Sequence, residues 1–416
     1  MKNYLILMTA MIGLAGCGQE ASAPATDAAT GDYAYQETLL GQLIDAKPGD
    51  VIEIPEGVHA FNRSLSLAAD GVTLRGVGMD KSILSFKNQI AGAEGLLVTG
   101  SDFVIEDLAI EDTKGDALKI SDAENIVIRR VRTEWTGGPK TTNGAYGIYP
   151  VQTKNVLMEE NVAIAAADAG LYIGQSENVV VRNNRAEFNV AGIEIENTTG
   201  ADVYGNVATD NTGGILVFNM PNLTKPGART RVFNNKVVGN NTKNFGIEGT
   251  PVASIPAGSG IVINSNDQVE IFDNDIGDNK TANIIIASQF SADYGDGATQ
   301  DDFDPYPEGI FVYDNRFEGG GNNPDGLELQ ALKLAVVGPL KSLPDILWDG
   351  YVDEAKMVDG ALPEHLRLCV QNGEAQVINV DGPNDNASPR IADGEHDCAH
   401  EKLPAIQLNG PLSNEA

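Results

Sequence analysis

Gly170-Leu171-Tyr172-Ile173, Gly192-Ile193-Glu194-Ile195 and Gly214-Ile215-Leu216-Val217 are one phrase written three times: a glycine, then apolar residues in alternation. The phrase is also found at Gly147-Ile148-Tyr149 and Gly260-Ile261-Val262-Ile263, so the glycines are spaced 23, 22, 22 and 46. The last interval is twice 23, as expected if one turn lacks the glycine or carries an insertion. A second phrase falls between these, with a polar residue, β-branched residues and then asparagine. It places Asn161, Asn184, Asn206, Asn235, Asn274 and Asn315 at matching positions. Val72-Thr73-Leu74, Val104-Ile105-Glu106 and Ile126-Val127-Ile128 repeat it without the asparagine. A period near 22 residues with short alternating strands is the signature of a β-solenoid. Successive coils stack at a strand separation of about 4.8 Å, so like residues form ladders along the axis. The stacked asparagines are expected to hydrogen-bond from coil to coil and to adopt left-handed backbone angles at the bends. An antiparallel sandwich predicts neither a fixed repeat nor a ladder.

The chain has 416 residues, 42% of them hydrophobic and 21% charged, which places it among globular proteins. Forty-six glycines point to many tight turns. Lys2 precedes a short apolar run, Tyr4 to Leu14, which is too short to span a bilayer and reads as an export signal. Residues 18 to 31 are rich in small and polar side chains, as in a flexible tether. The expected division is a signal peptide over 1–16, a tether over 17–31, the solenoid over 32–323 and a C-terminal cap or subdomain over 324–416. The net charge of −31 argues against nucleic acid as a partner. It also opposes a polyanion unless a basic patch or a bridging divalent cation intervenes. Cys369 and Cys398 form either one disulfide or two inert thiols.

Gln36 to Ala46 has helical spacing, with Leu39, Leu40, Leu43 and Ile44 apolar, and leads into Pro48-Gly49-Asp50-Val51-Ile52-Glu53-Ile54-Pro55-Glu56-Gly57. This passage, Leu74-Arg75-Gly76-Val77-Gly78 and the repeated phrases resemble the pectate-lyase-like superfamily, over residues 36 to 323. More narrowly, they resemble bacterial parallel β-helix repeat lipoproteins of unassigned activity. The resemblance implies an all-β, right-handed, single-stranded parallel β-helix with an amphipathic N-terminal cap helix and a mixed C-terminal cap. It also implies carbohydrate chemistry. Leu14-Ala15-Gly16-Cys17 resembles a lipobox, which implies cleavage before Cys17, lipidation of Cys17 and, with Gly18 rather than Asp following, an outer-membrane location in the cell envelope. One family pattern is missing. Mannuronan epimerases of this fold carry Asp-Pro-His-Glu, whereas Asp304-Pro305 here is followed by Tyr306-Pro307-Glu308.

If Ile148, Leu171, Ile193 and Ile215 point inward, the next residue of each coil points outward. The outward ladder is then Lys119, Tyr149, Tyr172, Glu194 and Leu216. A second outward position sets Glu196 beside Phe218, and Asp116, Asp168, Gln175 and Asn197 lie near the bends. Tyrosines offer flat faces to sugar rings and a hydroxyl for proton transfer. Glu194 suits a base or ligand, and Lys119 suits a partner for a carboxylate. Lys119, Tyr149, Tyr172 and Glu194 are the expected catalytic set. Asp168, Gln175, Glu196, Asn197 and Phe218 are the expected substrate-binding set. The plainer alternative is a row of solvated strand residues.

No metal ligands are assigned and the cofactor stays open, with Ca²⁺ the one candidate. The acidic run Asp293, Asp296, Asp301, Asp302 and Asp304 suits Ca²⁺ in residue type, but its spacing is not that of an EF-hand and a solvated loop accounts for it. His396, Cys398 and His400 are close in sequence, but Cys398 is better used in a disulfide than on zinc. The expected function is an envelope lipoprotein binding carbohydrate, acting on a uronate-containing polysaccharide by elimination or epimerisation. The alternative is a non-catalytic scaffold that binds a glycan or an envelope protein.

Overall fold

The computed structural model describes residues 33–292 and 303–413; Cys17 and the tether lie outside them. Most coils contribute three short strands, as in Glu177–Arg182, Arg185–Glu187 and Ala191–Glu196; the single longer strands Val104–Glu111 and Glu124–Glu134 each take the place of the first two. The first two stack into one sheet of 19 strands and the third into a separate sheet of 12. Coil-to-coil pairing is parallel: Glu177 lies beside Lys154 on one side and Thr199 on the other. Ile215 pairs with Ile261 in adjacent coils, so the 46-residue interval is one coil with insertions and not two coils.

The phrase works as read. Ile148, Leu171, Ile193, Ile215 and Ile261 are fully buried in one continuous core. Glycine opens the phrase because nothing larger fits. A Cβ at Gly192 would lie 2.6 Å from the Gly214 carbonyl and 2.8 Å from the Asn211 amide of the next coil. The asparagine ladder is continuous from Asn161 to Asn372. Within it, Asn184 donates from its backbone N–H and from Nδ2 to Asn206 Oδ1, both at 2.9 Å, and Asn206 repeats this to Asn235 at 3.0 Å. A second ladder, Asn189–Asn211–Asn240–Asn279, runs alongside it. The left-handed angles do not belong to the ladder asparagines. They fall on the residues just before them, such as Asn183, Asn234, Asp210 and Asp278. The preceding residue makes the bend, and the ladder asparagine turns inward to satisfy buried backbone groups.

The helix Ala34–Asp45 caps the first coil with Leu39 and Leu43 buried; Ile44, expected on the same face, is 76% exposed. The coil does not stop at residue 323. Ile346–Trp348 continues the smaller sheet beyond Ile284–Ile286, and Cys369–Gln371 continues the larger beyond Phe311–Tyr313. The helix Leu327–Val336 is therefore an insertion within a coil, which is why the repeat is hidden there. The stretch from Pro344 to Met357 holds the strand Ile346–Trp348 and a single turn over Glu354–Lys356. Cys369 and Cys398 form a disulfide.

Residues 401–413 then run back along the outer face of the larger sheet as a strap. Leu403, Ile406 and Asn409 donate their N–H groups to Glu270, Asp202 and Asn155 at 3.0, 3.1 and 2.7 Å. Leu408 and Leu412 bury the outward residues Val127, Leu157 and Val180. Removing two leucine contacts by Leu408→Asp and Leu412→Asp forfeits several kcal/mol of apolar burial, about 1.5–3 for each side chain. The expected result is local release, read as at least about tenfold faster hydrogen exchange at the Leu403, Ile406 and Asn409 amides. Unchanged exchange would contradict this account of the strap.

Candidate functional site

The smaller sheet presents the outward ladder in the expected register. Tyr149 lies beside Lys119, Tyr172 beside Glu194, Glu194 beside Leu216, and Glu196 beside Phe218. Tyr146 joins them, although it lies outside both expected sets. The rings of Tyr146, Tyr149 and Tyr172 form a three-way cluster with centroids 4.4, 4.6 and 4.8 Å apart. Tyr146 has room because its ladder continues as Ala169, Ala191 and Gly213. A large residue followed by three small ones was the available signal. Lys119 Nζ stands 5.1 Å from the Tyr149 ring centroid, a cation–π contact.

Four carboxyl groups face these rings, and their environments separate them. Asp116 is raised to about 6, first by desolvation and partly offset by the Tyr146 N–H and by Lys119. Burial, then the charges of Glu196 and Asp116, raise Asp168 to about 8. Glu194 is pushed well above the carboxylate range by burial and by Asp168 and Glu196. Glu196 is raised by desolvation but receives the Tyr172 hydroxyl at 2.5 Å, which favours its ionised form. Burial is the first cause at all four groups; the Glu196 charge adds to it at Asp168 and, after that of Asp168, at Glu194. Asp168 is 9% exposed and Glu194 2%, and each has one carboxyl oxygen without a hydrogen-bond partner among the described residues. Burial raises Tyr149 to about 12 and lifts Tyr146 and Tyr172 well above the ordinary phenol value, so the tyrosines are neutral donors.

These shifts tie the site to stability. A carboxyl whose folded pKa exceeds its unfolded value favours folding below the unfolded value, and that contribution is lost as pH rises through the folded value. For Asp168 the window runs from about 4 to about 8. The thermal midpoint should fall as pH rises across it, and Asp168→Asn should flatten that fall. A midpoint that climbs from pH 5 to 8 in the native protein but not in Asp168→Asn would contradict the assignment.

The remaining expected residues hold loops. Gln175 Oε1 accepts from Thr224 N and Oγ1 at 3.1 and 2.8 Å, and Asn197 Nδ2 donates to the carbonyls of Met220 and Lys225 at 2.9 and 2.7 Å. Both anchor the insertion that begins at Asn219, which engages Gln175 Oε1 and the whole Asn197 amide. Phe218 is fully buried, in a cluster with Tyr172, Leu216 and Ile255. Asp293, Asp296, Asp301 and Asp302 lie outside the described residues. Asp304 and Glu308 bind Lys356 Nζ at 2.6 and 2.8 Å, so the cation between them is the protein's own ammonium. His396 and His400 contact the carbonyls of Leu368 and Arg367, and Cys398 is used in the disulfide.

The family described as right handed beta helix region matches residues 70–225. The described residues form a right-handed parallel β-helix. Among solved structures, this β-helix is similar to the A-module of a mannuronan C-5 epimerase from Azotobacter vinelandii. The two share 17% identity over 82% of this chain and 89% of that one, with a TM-score of 0.50. It also overlaps a DFA-IIIase from Arthrobacter chlorophenolicus at 11% identity, covering 83% of this chain and 89% of that chain, with a TM-score of 0.48. An alginate lyase from a Paenibacillus species overlaps at 14% identity, covering 68% of this chain and 95% of that chain, with a TM-score of 0.39. No curated protein matches the β-helix in sequence. The likeness concerns fold; the chemistry rests on the side chains described above.

Proposed function

We propose that this β-helix acts on a glycan at the Tyr146–Tyr149–Tyr172 face, and that lipid on Cys17 holds it in a bacterial cell envelope. The carrying observation is a set of neighbouring carboxyl groups against three tyrosine rings, with Asp168 raised to about 8 and Glu196 receiving the Tyr172 hydroxyl at 2.5 Å, which favours its ionised form. Groups of one chemical type whose environments separate their proton affinities supply an acid and a base at neutral pH. Asp168 delivers a proton to a glycosidic oxygen, and Glu196, oriented by the Tyr172 hydroxyl, activates water or attacks the anomeric carbon. The tyrosine rings hold the sugar.

This arrangement favours glycosidic cleavage over uronate elimination or epimerisation. Those reactions need a group that neutralises a carboxylate, and among the described residues Lys119 stands alone beside four carboxyl groups. The near-complete burial of Tyr172 and Glu194, 3% and 2% exposed, supports the second reading, a non-catalytic glycan-binding or protein-binding scaffold. Two readouts on one panel of neutral and uronate polysaccharides separate the readings. New reducing ends without ultraviolet absorbance from unsaturated sugar are expected. Unsaturated product would restore the elimination reading, and binding without turnover would establish the scaffold.

A further inference from the structure

The same sheet carries a concavity two coils beyond Glu196. Its volume is about 710 Å³, within the range of small-molecule sites. Val262, Ile285 and Leu347 form its floor along the ladder that begins at Lys119. Leu329 and Leu332 of the inserted helix form one wall, and Phe290 and Tyr351, with ring centroids 5.1 Å apart, form another. One polar group on this floor is incomplete. Asn264 is 2% exposed; its Nδ2 donates to the Ser288 carbonyl at 3.1 Å, while its Oδ1 has no partner among the described residues. A buried amide oxygen left unpaired costs about 1–3 kcal/mol, and a donor on a bound molecule would recover it.

The geometry points to a site for the apolar group of an amphiphilic glycan, an acyl or alkyl chain attached to a sugar, with a donor near its polar end meeting Asn264 Oδ1. Two features identify this ligand. The walls are mostly aliphatic, with aromatic rings at one side, which suits a hydrocarbon chain better than a second sugar. The groove also adjoins the tyrosine–carboxylate cluster: Asn264 occupies the ladder position of Glu196 and Phe218, two steps and about 10 Å from Glu196. Phe218, Ile255 and Val262 belong both to the groove lining and to the apolar cluster behind Tyr172. A chain in the groove therefore places its sugar towards Glu196. That orientation rests on the function proposed above, whereas the groove's affinity for hydrocarbon does not.

The test is calorimetric titration with alkyl β-glucosides from methyl to octyl, each below its micelle concentration. Affinity should tighten up to about fourfold per added methylene until the groove is filled. Ala331 and Ala335 line the rim from exposed positions on the helix, so Ala331→Trp and Ala335→Trp obstruct the groove without disturbing the core. Both should flatten the chain-length dependence while leaving the thermal midpoint in place. Glu196→Gln should keep that dependence even where it removes turnover. A flat series in the native protein, or a dependence that survives both tryptophan variants, would overturn the inference. A dependence retained in a protein that cleaves no glycan would leave the groove standing and remove the catalytic reading alone.

Discussion

Asp168→Asn should lower turnover on the responsive glycan by about 10²–10⁴-fold, the range for loss of a positioned general acid. The substitution keeps the shape and removes the proton. Asp168 suits this role because burial, with the Glu196 charge added, raises it to about 8, so it is protonated at neutral pH. Activity should therefore fall as pH rises through about 8, when the acid is lost. Glu196→Gln should cost a similar factor for the opposite reason, since it removes the carboxylate that activates water or attacks the anomeric carbon. Tyr172→Phe should cost less. It deletes the 2.5 Å hydrogen bond to Glu196 and so makes Glu196 harder to ionise. Its distinguishing mark is an acid limb of the pH–rate profile shifted to higher pH, not merely a lower plateau. Asp168→Asn at native turnover would remove Asp168 from the chemistry.

Asn206→Ala should destabilise the protein by about 3 kcal/mol or more, read as a drop in the urea midpoint at unchanged slope. The side chain joins three coils. Its Oδ1 accepts two hydrogen bonds from Asn184, and its Nδ2 donates to Val181 O and Asn235 Oδ1 at 3.0 Å. Alanine leaves buried donors and acceptors unpaired, each at about 1–3 kcal/mol. Asn206→Asp keeps an acceptor but loses the donors and buries a charge, so it should not rescue the loss. A change below about 0.5 kcal/mol for Asn206→Ala would mean that the ladder accompanies the fold without holding it.

The solenoid was legible because a stacked coil forces like residues to one position, and the phrase from Gly170 to Val217 records that constraint directly. The outward ladder followed from the same period, so the repeat alone places Tyr149, Tyr172, Glu194 and Glu196 on one face. Three features were less accessible. The coil over Ile346–Trp348 is masked by an inserted helix, which breaks the period without ending the stack. The strap over 401–413 has no repeat of its own; its place is set by pairing with Asp202, Asn155 and Glu270, far away in the chain. The roles within the site depend on burial, which period and residue type do not report. Glu194, expected as a base or ligand, is so deeply buried that its carboxyl is pushed well above the usual range, whereas Glu196 receives the Tyr172 hydroxyl. Asn197 and Gln175 have the residue types of ligands but are committed to a neighbouring loop.

The most direct test is a carbon-13 NMR titration of the Asp168 carboxyl, assigned by its absence from Asp168→Asn. This account predicts titration near pH 8, moving to lower pH in Glu196→Gln as the neighbouring negative charge disappears. Titration near pH 4, unmoved by Glu196→Gln, would contradict it and leave the tyrosine face without its acid.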